Sequence, residues 1–459
     1  MKLPRLSPLF FSVRLPTLLA IFWRTYLARP KVVPGSRKAP LSLLVVRLDA
    51  LGDVVMTTPL FRALKAVYPH SRCTVAVQKS YKSLLATNPY VDEILTLPVV
   101  RPEWLPQSWR RMLAAAVFYW RHLRKRPFDL AISPRWDTDE HLATFLCVMS
   151  HARHRAGYSE QATAAKRTRN RGFDHAYDTC LAPGAVQHEV LRNLAAAHAP
   201  GACAAAEVPD ASTCEAWPEI RVTTQDRRRA DRLLAKVPRM EKLVALGIGA
   251  QSPGRRWPLR RYAETLARLE RLRLRPVIVC SEAELGEALK LTGMLPRRPV
   301  IVSGAPLREV CAVLERCELF LGNDSGCAHL AAAMGCKTIV ISRHPRHGDP
   351  NHFNSPVRFA PLGREVRVLQ PASGRGGCRQ ACASPEPHCI LEVSIDDVVC
   401  AAQEMLPEPH IVAPRPPASK LSSLAITGVL PRFPDPLLPA AVEALQPAGG
   451  VRLGGETLP

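Results

Sequence analysis

Two short segments combine residue types able to carry out group transfer on a phosphorylated substrate. Residues 320–335, FLGNDSGCAHLAAAMG, run from an apolar stretch through Asn323-Asp324-Ser325-Gly326 into a small-residue helix that closes on Gly335. A strand entering a helix through Asp-Ser-Gly sets backbone N–H groups, a hydroxyl and a glycine at the positive end of a helix. Such an arrangement suits an anion such as a diphosphate. The same residues also fit an ordinary capped turn, with Asp324 or Ser325 as N-cap. The second segment is Arg47-Leu48-Asp49-Ala50-Leu51-Gly52-Asp53-Val54-Val55-Met56-Thr57-Thr58-Pro59. Here a strand ends, Gly52 permits a tight approach, and Asp53 stands at the mouth of a helix. Asp53 is placed either to cap that helix or to remove a proton from an acceptor hydroxyl as a general base.

Further polar groups follow other strand ends. Leu246-Gly247-Ile248-Gly249-Ala250-Gln251-Ser252-Pro253-Gly254-Arg255-Arg256-Trp257-Pro258 leads from a strand to a helix. Its glycines let backbone approach a ligand, and Arg255 or Arg256 is suited to bidentate binding of phosphate oxygens. It is no Rossmann fingerprint, for a third glycine at the required spacing is missing, and there is no Walker A lysine. Arg135-Trp136-Asp137-x-Asp139 follows a strand end on the same side, and suits either a Trp stacked on a sugar face with carboxylates gripping hydroxyls or a surface loop with a buried Trp. Arg153, Arg155, Lys166, Arg167, Arg169 and Arg171 nearby suit either a phosphorylated acceptor or a solvated basic loop.

The elements that must position these groups alternate along the chain. Strands are expected at Leu41–Val46, Cys73–Val77, Glu93–Leu97 and Leu130–Ser133, with helices between them that include Val54–Val67 and Trp104–Arg124. A second block alternates from Thr224 to Ile341, with strands at Lys242–Ile248, Pro276–Cys280, Pro299–Ile301, Leu319–Leu321 and Thr338–Ile341. Such alternation predicts α/β architecture, parallel sheets with helices on both faces. Two blocks predict twin doubly wound domains facing across a cleft, with ligands beyond the carboxyl ends of the strands. The expected division is a basic apolar membrane-interfacial segment over 1–38, an N-terminal Rossmann-like domain over 39–215, a C-terminal Rossmann-like domain over 216–405 and a Pro/Ala-rich disordered tail over 406–459.

Composition narrows the partners. With 62 Lys and Arg against 40 Asp and Glu, the formal charge is +22, which favours a polyanion. Neither zinc-finger spacing, an RNP-type aromatic motif nor a basic-region heptad is present, so an anionic membrane surface is expected rather than nucleic acid. Leu6–Trp23 is apolar yet interrupted by Pro8, Arg14 and Pro16, too broken to span a bilayer comfortably; it suits the headgroup zone, with a single signal-anchor or packing on the fold as the other readings. Most of the 14 cysteines lie in apolar runs, as buried thiols of a reducing compartment do. Cys378-x3-Cys382-x6-Cys389, with His388 alongside, could bind zinc. Its second gap is unusual and a fourth ligand uncertain, so a structural thiol cluster is expected and no metal is assigned.

Taken together, the motifs resemble glycosyltransferase family 9, the bacterial heptosyltransferases. The resemblance rests on Arg47…Gly52-Asp53-Val54…Thr57-Thr58-Pro59, on Arg256-Trp257-Pro258 and on Gly322-Asn323-Asp324-Ser325-Gly326…His329-Leu330-Ala331-Ala332-Ala333-Met334-Gly335, in that order, and covers residues 41–405. It implies GT-B architecture, two Rossmann-like domains facing across a cleft, with the acceptor bound mainly by the first (39–215) and the nucleotide-sugar donor mainly by the second (216–405). It also implies inverting transfer of heptose from an ADP-activated donor to a phosphorylated lipopolysaccharide core acceptor, with no cofactor or essential metal. By position Asp53 matches the catalytic base. Arg255 falls where the family has a diphosphate-binding Lys, with Arg256 beside it. Asp324, Ser325 and Gly326 match the donor-phosphate loop, with His329 behind it as a donor contact or a packed structural histidine. Glu284, or else Glu282, resembles the acidic residue that holds the donor ribose. On the acceptor side the resemblance places Gly52 and Thr57, with Arg135, Trp136, Asp137 and Asp139 nearby. Cys327 stands where the family often has Pro. A cytoplasmic enzyme, peripheral on the inner face of the inner membrane, is implied. The rival reading is a catalytically inactive, basic, membrane-associated binding protein on the same scaffold.

Overall fold

A computed structural model describes residues 13–23 and 41–406, except 101–103, 183, 186, 199–215 and 239. The expected tail from 407 on, most of the N-terminal segment and the connection 199–215 lie outside the described residues. The first sheet contains β1 (Ser42–Val46), β2 (Arg72–Gln78), β3 (Glu93–Leu97), β4 (Leu130–Ser133), β5 (His154–Tyr158) and β6 (Thr179–Leu181). The second contains β7 (Leu243–Gly247), β8 (Arg275–Cys280), β9 (Val300–Ser303), β10 (Leu319–Asn323), β11 (Lys337–Ile341) and β12 (Val366–Leu369). Central strands such as β1, SLLVV, and β7, LVALG, are unbroken apolar runs, because helices cover both faces of a parallel sheet.

Both sheets are parallel throughout and share one strand order. The first runs β3-β2-β1-β4-β5-β6 and the second, read in the same sense, β9-β8-β7-β10-β11-β12. Each therefore reverses direction once, between β1 and β4 and between β7 and β10. At such a switch point the loops leave a crevice for ligand. Asp53 follows β1 and the 135–139 segment follows β4; Arg255 follows β7 and the 324–326 turn follows β10. β5, β6, β12 and the C-terminal helix Ile395–Met405 are additions to the elements read from sequence.

The helix after β1, Leu51–Val67, contains Pro59, whose ring nitrogen cannot donate to the Val55 carbonyl. The Thr58 hydroxyl takes that carbonyl at 2.8 Å, and Thr57 bonds back to the Asp53 carbonyl at 2.7 Å. The Thr-Thr-Pro run is thus a self-compensated helix interior, buried along its length.

Both sheets belong to one compact unit, and one apolar cluster draws side chains from each. Buried polar ties also cross between them. The His188 Nε2–H donates to the Ala360 carbonyl at 2.8 Å while its Nδ1 accepts the Val190 N–H at 3.2 Å, which fixes a neutral tautomer. Burial pushes His188 down to about 4, consistent with a ring that has one donor and one acceptor to satisfy. An unfolded imidazole titrates near 6.5, so this contribution is complete above about pH 6.5 and is lost as pH falls toward 4. The loss is on the order of 3 kcal/mol. Urea unfolding at neutral pH and near pH 4.5 should therefore show a smaller acid penalty in His188→Gln than in wild type. Equal penalties would contradict it.

Candidate active site

The helices that begin at the two switch points meet end to end. A Cβ on Gly52 would lie 2.8 Å from Cδ2 of His329, and one on Gly326 would lie 2.8 Å from the Cβ of Leu51. Only glycine at these positions lets the N-terminus of Leu51–Val67 abut that of Gly326–Ala333. Asp53 and the Asp324-Ser325-Gly326 turn are consequently brought together, and both Asp53 and Asp324 act on the buried His329 ring.

On the first side, Asp53 is the third residue of its helix and accepts the Ala50 N–H at 3.2 Å, as a capping residue does. Its other oxygen accepts from Nη2 of Arg47 at 2.9 Å and lies 3.7 Å from Nη1 of Arg135. Asp49 shares both cations, 3.3 Å from Arg47 and 3.5 Å from Arg135. Arg47 is fully buried and also donates to the Pro134 carbonyl at 3.2 Å. Two carboxylates and two guanidinium groups form a charge-balanced cluster in which Asp53 keeps some solvent contact, with 12% of its side chain exposed.

Across the gap, Ser325 is the extended N-cap of Gly326–Ala333, and its hydroxyl makes no capping bond. Arg255 Nη2 donates to the Asp324 carboxylate at 2.8 Å and to its carbonyl at 2.7 Å. That pairing cancels the one negative charge in the turn and leaves the helix N–H groups facing the gap as an electropositive cradle. Arg256 spends Nε and Nη2 on the Ala250 carbonyl and holds the loop. Asn323, fully buried, accepts from the Trp257 N–H at 2.8 Å and the Tyr262 hydroxyl at 3.0 Å, and donates to the Ile248 carbonyl at 2.7 Å. It fastens the β7 loop to the end of β10. The Glu284 carboxylate lies against Gly249 and accepts from Ser281 N–H and hydroxyl at 2.9 Å. Glu282 instead packs on Gly304, away from this loop. His329 is buried against Gly52, and burial lowers its pKa, so the ring meets the gap uncharged.

Several residues expected to contact an acceptor are internal supports instead. Thr57 is buried with its hydroxyl spent on its own helix. Trp136 is buried, with the Arg192 and Arg358 guanidinium groups 3.7 and 4.4 Å from its ring, so cation–π packing replaces stacking on a sugar. Asp139 caps the helix Ala143–Met149, accepting N–H groups of His141, Ala143 and Thr144 at 2.8–3.2 Å. Asp137 is bonded by Arg358 at 3.2 Å; burial raises its pKa, and Arg135 and Arg358 more than reverse this and hold it below the usual range. Lys166 points inward to the carbonyls of Arg135, Trp136 and Tyr158. Burial pushes it down to about 8.

Residues not foreseen from sequence back these supports from inside. Arg358, fully buried, donates twice to Glu189 at 2.8 and 2.9 Å, and Glu189 also takes Arg192 at 2.7 Å. The Glu189-x-x-Arg192 spacing on a helix signals an ion pair. Nothing local marks Arg358, which comes from beyond β11 to reach residues that follow β4 and β6.

Two Rossmann-like sheets facing a shared cleft, each offering its switch point, define the GT-B class of glycosyltransferase. A model of glycosyltransferase family 9 (heptosyltransferase) matches residues 117–370, and the chain belongs to that family. It is 24% identical over 348 residues to the Haemophilus influenzae lipopolysaccharide core heptosyltransferase OpsX, covering 73% of this chain and 86% of that protein. The Veillonella parvula family 9 glycosyltransferase structure superposes with a TM-score of 0.62 at 18% identity, covering 82% of this chain and 99% of the other. The Escherichia coli ADP-heptose lps heptosyltransferase II structure gives 0.57 at 17% identity, covering 80% and 98%.

The glycine contact is testable. Gly52→Ala should overpack against His329 and cost about 1–3 kcal/mol in urea unfolding. His329→Ala in the same chain should recover part of that loss, because contacting residues couple. Strict additivity of the two changes would remove this contact as the constraint.

Proposed function

We propose that this glycosyltransferase moves a heptose, or a related sugar, from an ADP-activated donor to a lipopolysaccharide core acceptor with inversion at the anomeric carbon. One observation carries the proposal: the Gly52–His329 and Gly326–Leu51 contacts bring the helix start that holds Asp53 against the Ser325-Gly326 helix start. The related proteins named for ADP-heptose and for the lipopolysaccharide core support the substrate class.

In this mechanism the donor diphosphate lies on the helix N-terminus at Gly326, with the Ser325 hydroxyl as donor and Arg255 cancelling Asp324. Asp53 takes the proton of the acceptor hydroxyl as that oxygen attacks the anomeric carbon from the face opposite the leaving diphosphate. Charge developing on the leaving group is stabilised by N–H dipoles that are already aligned, so little reorganisation is needed. Glu284, beside the β7 loop, takes the donor's ribose hydroxyls.

Asp53→Asn keeps an acceptor for the Ala50 N–H and for Arg47, and removes the base together with one of the two charges that balance Arg47 and Arg135. Transfer from an ADP-sugar, followed by release of ADP, should fall roughly two to four orders of magnitude, while calorimetric ADP binding is retained. Full turnover in that variant would exclude Asp53. Absence of any ADP heat in wild type would favour the inactive binding-protein reading.

A membrane-surface location fits the same activity. No helix among the described residues is long and apolar enough to cross a bilayer. The short helix Leu15–Phe22 packs Ala20 and Ile21 on Val148 and Ala176, and leaves Leu19, Phe22 and Trp23 exposed. Trp109, Leu113 and Trp120 are exposed nearby, with Arg124 stacked 4.0 Å over Trp120. A groove of about 440 Å³ lies between the two segments. Exposed indoles beside arginines suit an anionic headgroup layer. The full chain should co-sediment with phosphatidylglycerol vesicles more than with phosphatidylcholine ones, and less after Trp109→Ser with Trp120→Ser. Equal binding to both vesicle types would refute the membrane face.

A further inference from the structure

Residues 370–388 form neither helix nor strand, yet they connect β12 to the last helix of the second lobe. The stretch exceeds the roughly 12–15 residues at which structureless connections become uncommon in compact domains. Something other than secondary structure must hold it. In its middle, Cys378, Cys382, His388 and Cys389 turn toward one point, and their ligand atoms all lie within 4.8 Å of one another. The three sulfurs stand 3.7, 3.9 and 3.4 Å from Nδ1 of His388. Around a tetrahedral zinc with Zn–S near 2.3 Å and Zn–N near 2.0–2.1 Å, sulfur and nitrogen ligands sit about 3.6 Å apart. The observed separations bracket that value. All three cysteines are free thiols, and Cys382 and Cys389 are buried.

The surroundings are those of a ligand shell. The Arg375 N–H donates to the Cys389 sulfur at 3.3 Å, as backbone amides do to metal-bound thiolates. Gly376 and Gly377 both take positive φ, 51° and 89°, in the tight turn that delivers Cys378. We infer that Cys378, Cys382, His388 and Cys389 form a structural zinc site. Three thiolates and one imidazole complete the tetrahedron. The site is therefore closed, and it clips the loop rather than acting on substrate. Binding would release the thiol protons and tie four residues of an otherwise irregular segment to one centre.

The clip has a mechanical connection to the cleft. Two residues beyond Cys382, the Ser384 carbonyl accepts from Arg343 at 2.9 Å and presses on Gly254, where a Cβ would lie 2.3 Å from that oxygen. Gly254 belongs to the Pro253–Arg255 turn that sets Arg255 on Asp324. The Gln380 carbonyl accepts from the Asp349 N–H at 2.7 Å. Loss of metal should therefore loosen the support behind Arg255 and weaken ADP binding; this consequence, unlike the metal site itself, rests on the donor-site reading above.

Metal analysis of the full-length protein, purified without chelator, should find about one zinc ion per chain. Cys378→Ser and His388→Ala change half-buried ligands and so spare the folded core. Each should weaken zinc binding by at least the roughly ten- to hundredfold that loss of an outer partner alone costs. Chelation should lower the melting temperature of wild type, and added zinc should restore it. It should also lower ADP affinity, whereas zinc content stands as a readout even if ADP proves not to be a ligand. Less than about a tenth of an equivalent of metal, with no zinc uptake by the reduced protein, would overturn the site. A disulfide among the three cysteines would do the same, and stoichiometric iron would overturn the assignment of zinc.

Discussion

The molecule depends on a contact that ought to be unfavourable: two helix N-termini, both electropositive, pressed against one another. Glycine at 52 and at 326 removes the steric barrier, and His329, uncharged through burial, adds no further positive charge. What remains is a dipole problem, and carboxylates solve it. Asp49 and Asp53 lie at the start of one helix and Asp324 immediately before the other, matched by Arg47, Arg135 and Arg255. Three negative and three positive side chains cancel, so the gap draws its pull on an anion from aligned backbone N–H groups. Those dipoles are fixed by the fold and need no rearrangement when charge develops on a bound group.

The motif residues divide between chemistry and scaffolding, a distinction that depends on three dimensions. Thr57 and Thr58 sit in the same run as Asp53, yet their hydroxyls satisfy carbonyls around Pro59. Asn323 precedes the cradle and serves to knot two loops. Arg255 and Arg256 are neighbours, but one reaches the turn at Asp324 while the other turns back on its own loop. A motif of this kind encodes a position for a reactive group and, in the adjoining letters, the struts that keep it there.

Much of the architecture was legible because parallel strands are continuous apolar runs and the reactive groups follow their ends. Strand order was not, since pairing is a long-range property that leaves no local mark. That both sheets share one order is the reason four separate segments converge. β5, HRAGY, and β12, VRVL, were missed because charged residues interrupt their apolar pattern. The C-terminal helix had a usable signal, the Ser394-x-x-Asp397 capping box. The sequence leaves the 135–139 segment open between a sugar site and a buried Trp, because Trp beside carboxylates fits both. Only burial distinguishes the two, and burial at 136 is supplied by Arg192 and Arg358 from far along the chain.

The Arg358 anchorage bears on how such a cleft breathes. Its guanidinium carries Glu189 and Asp137 of the other lobe. Separating the lobes at this seam would break both contacts, leaving Glu189 with Arg192 and Asp137 beside Arg135. One guanidinium thus serves as a rivet between the lobes, tying the segment after β11 to the helix after β6 and to the turn after β4.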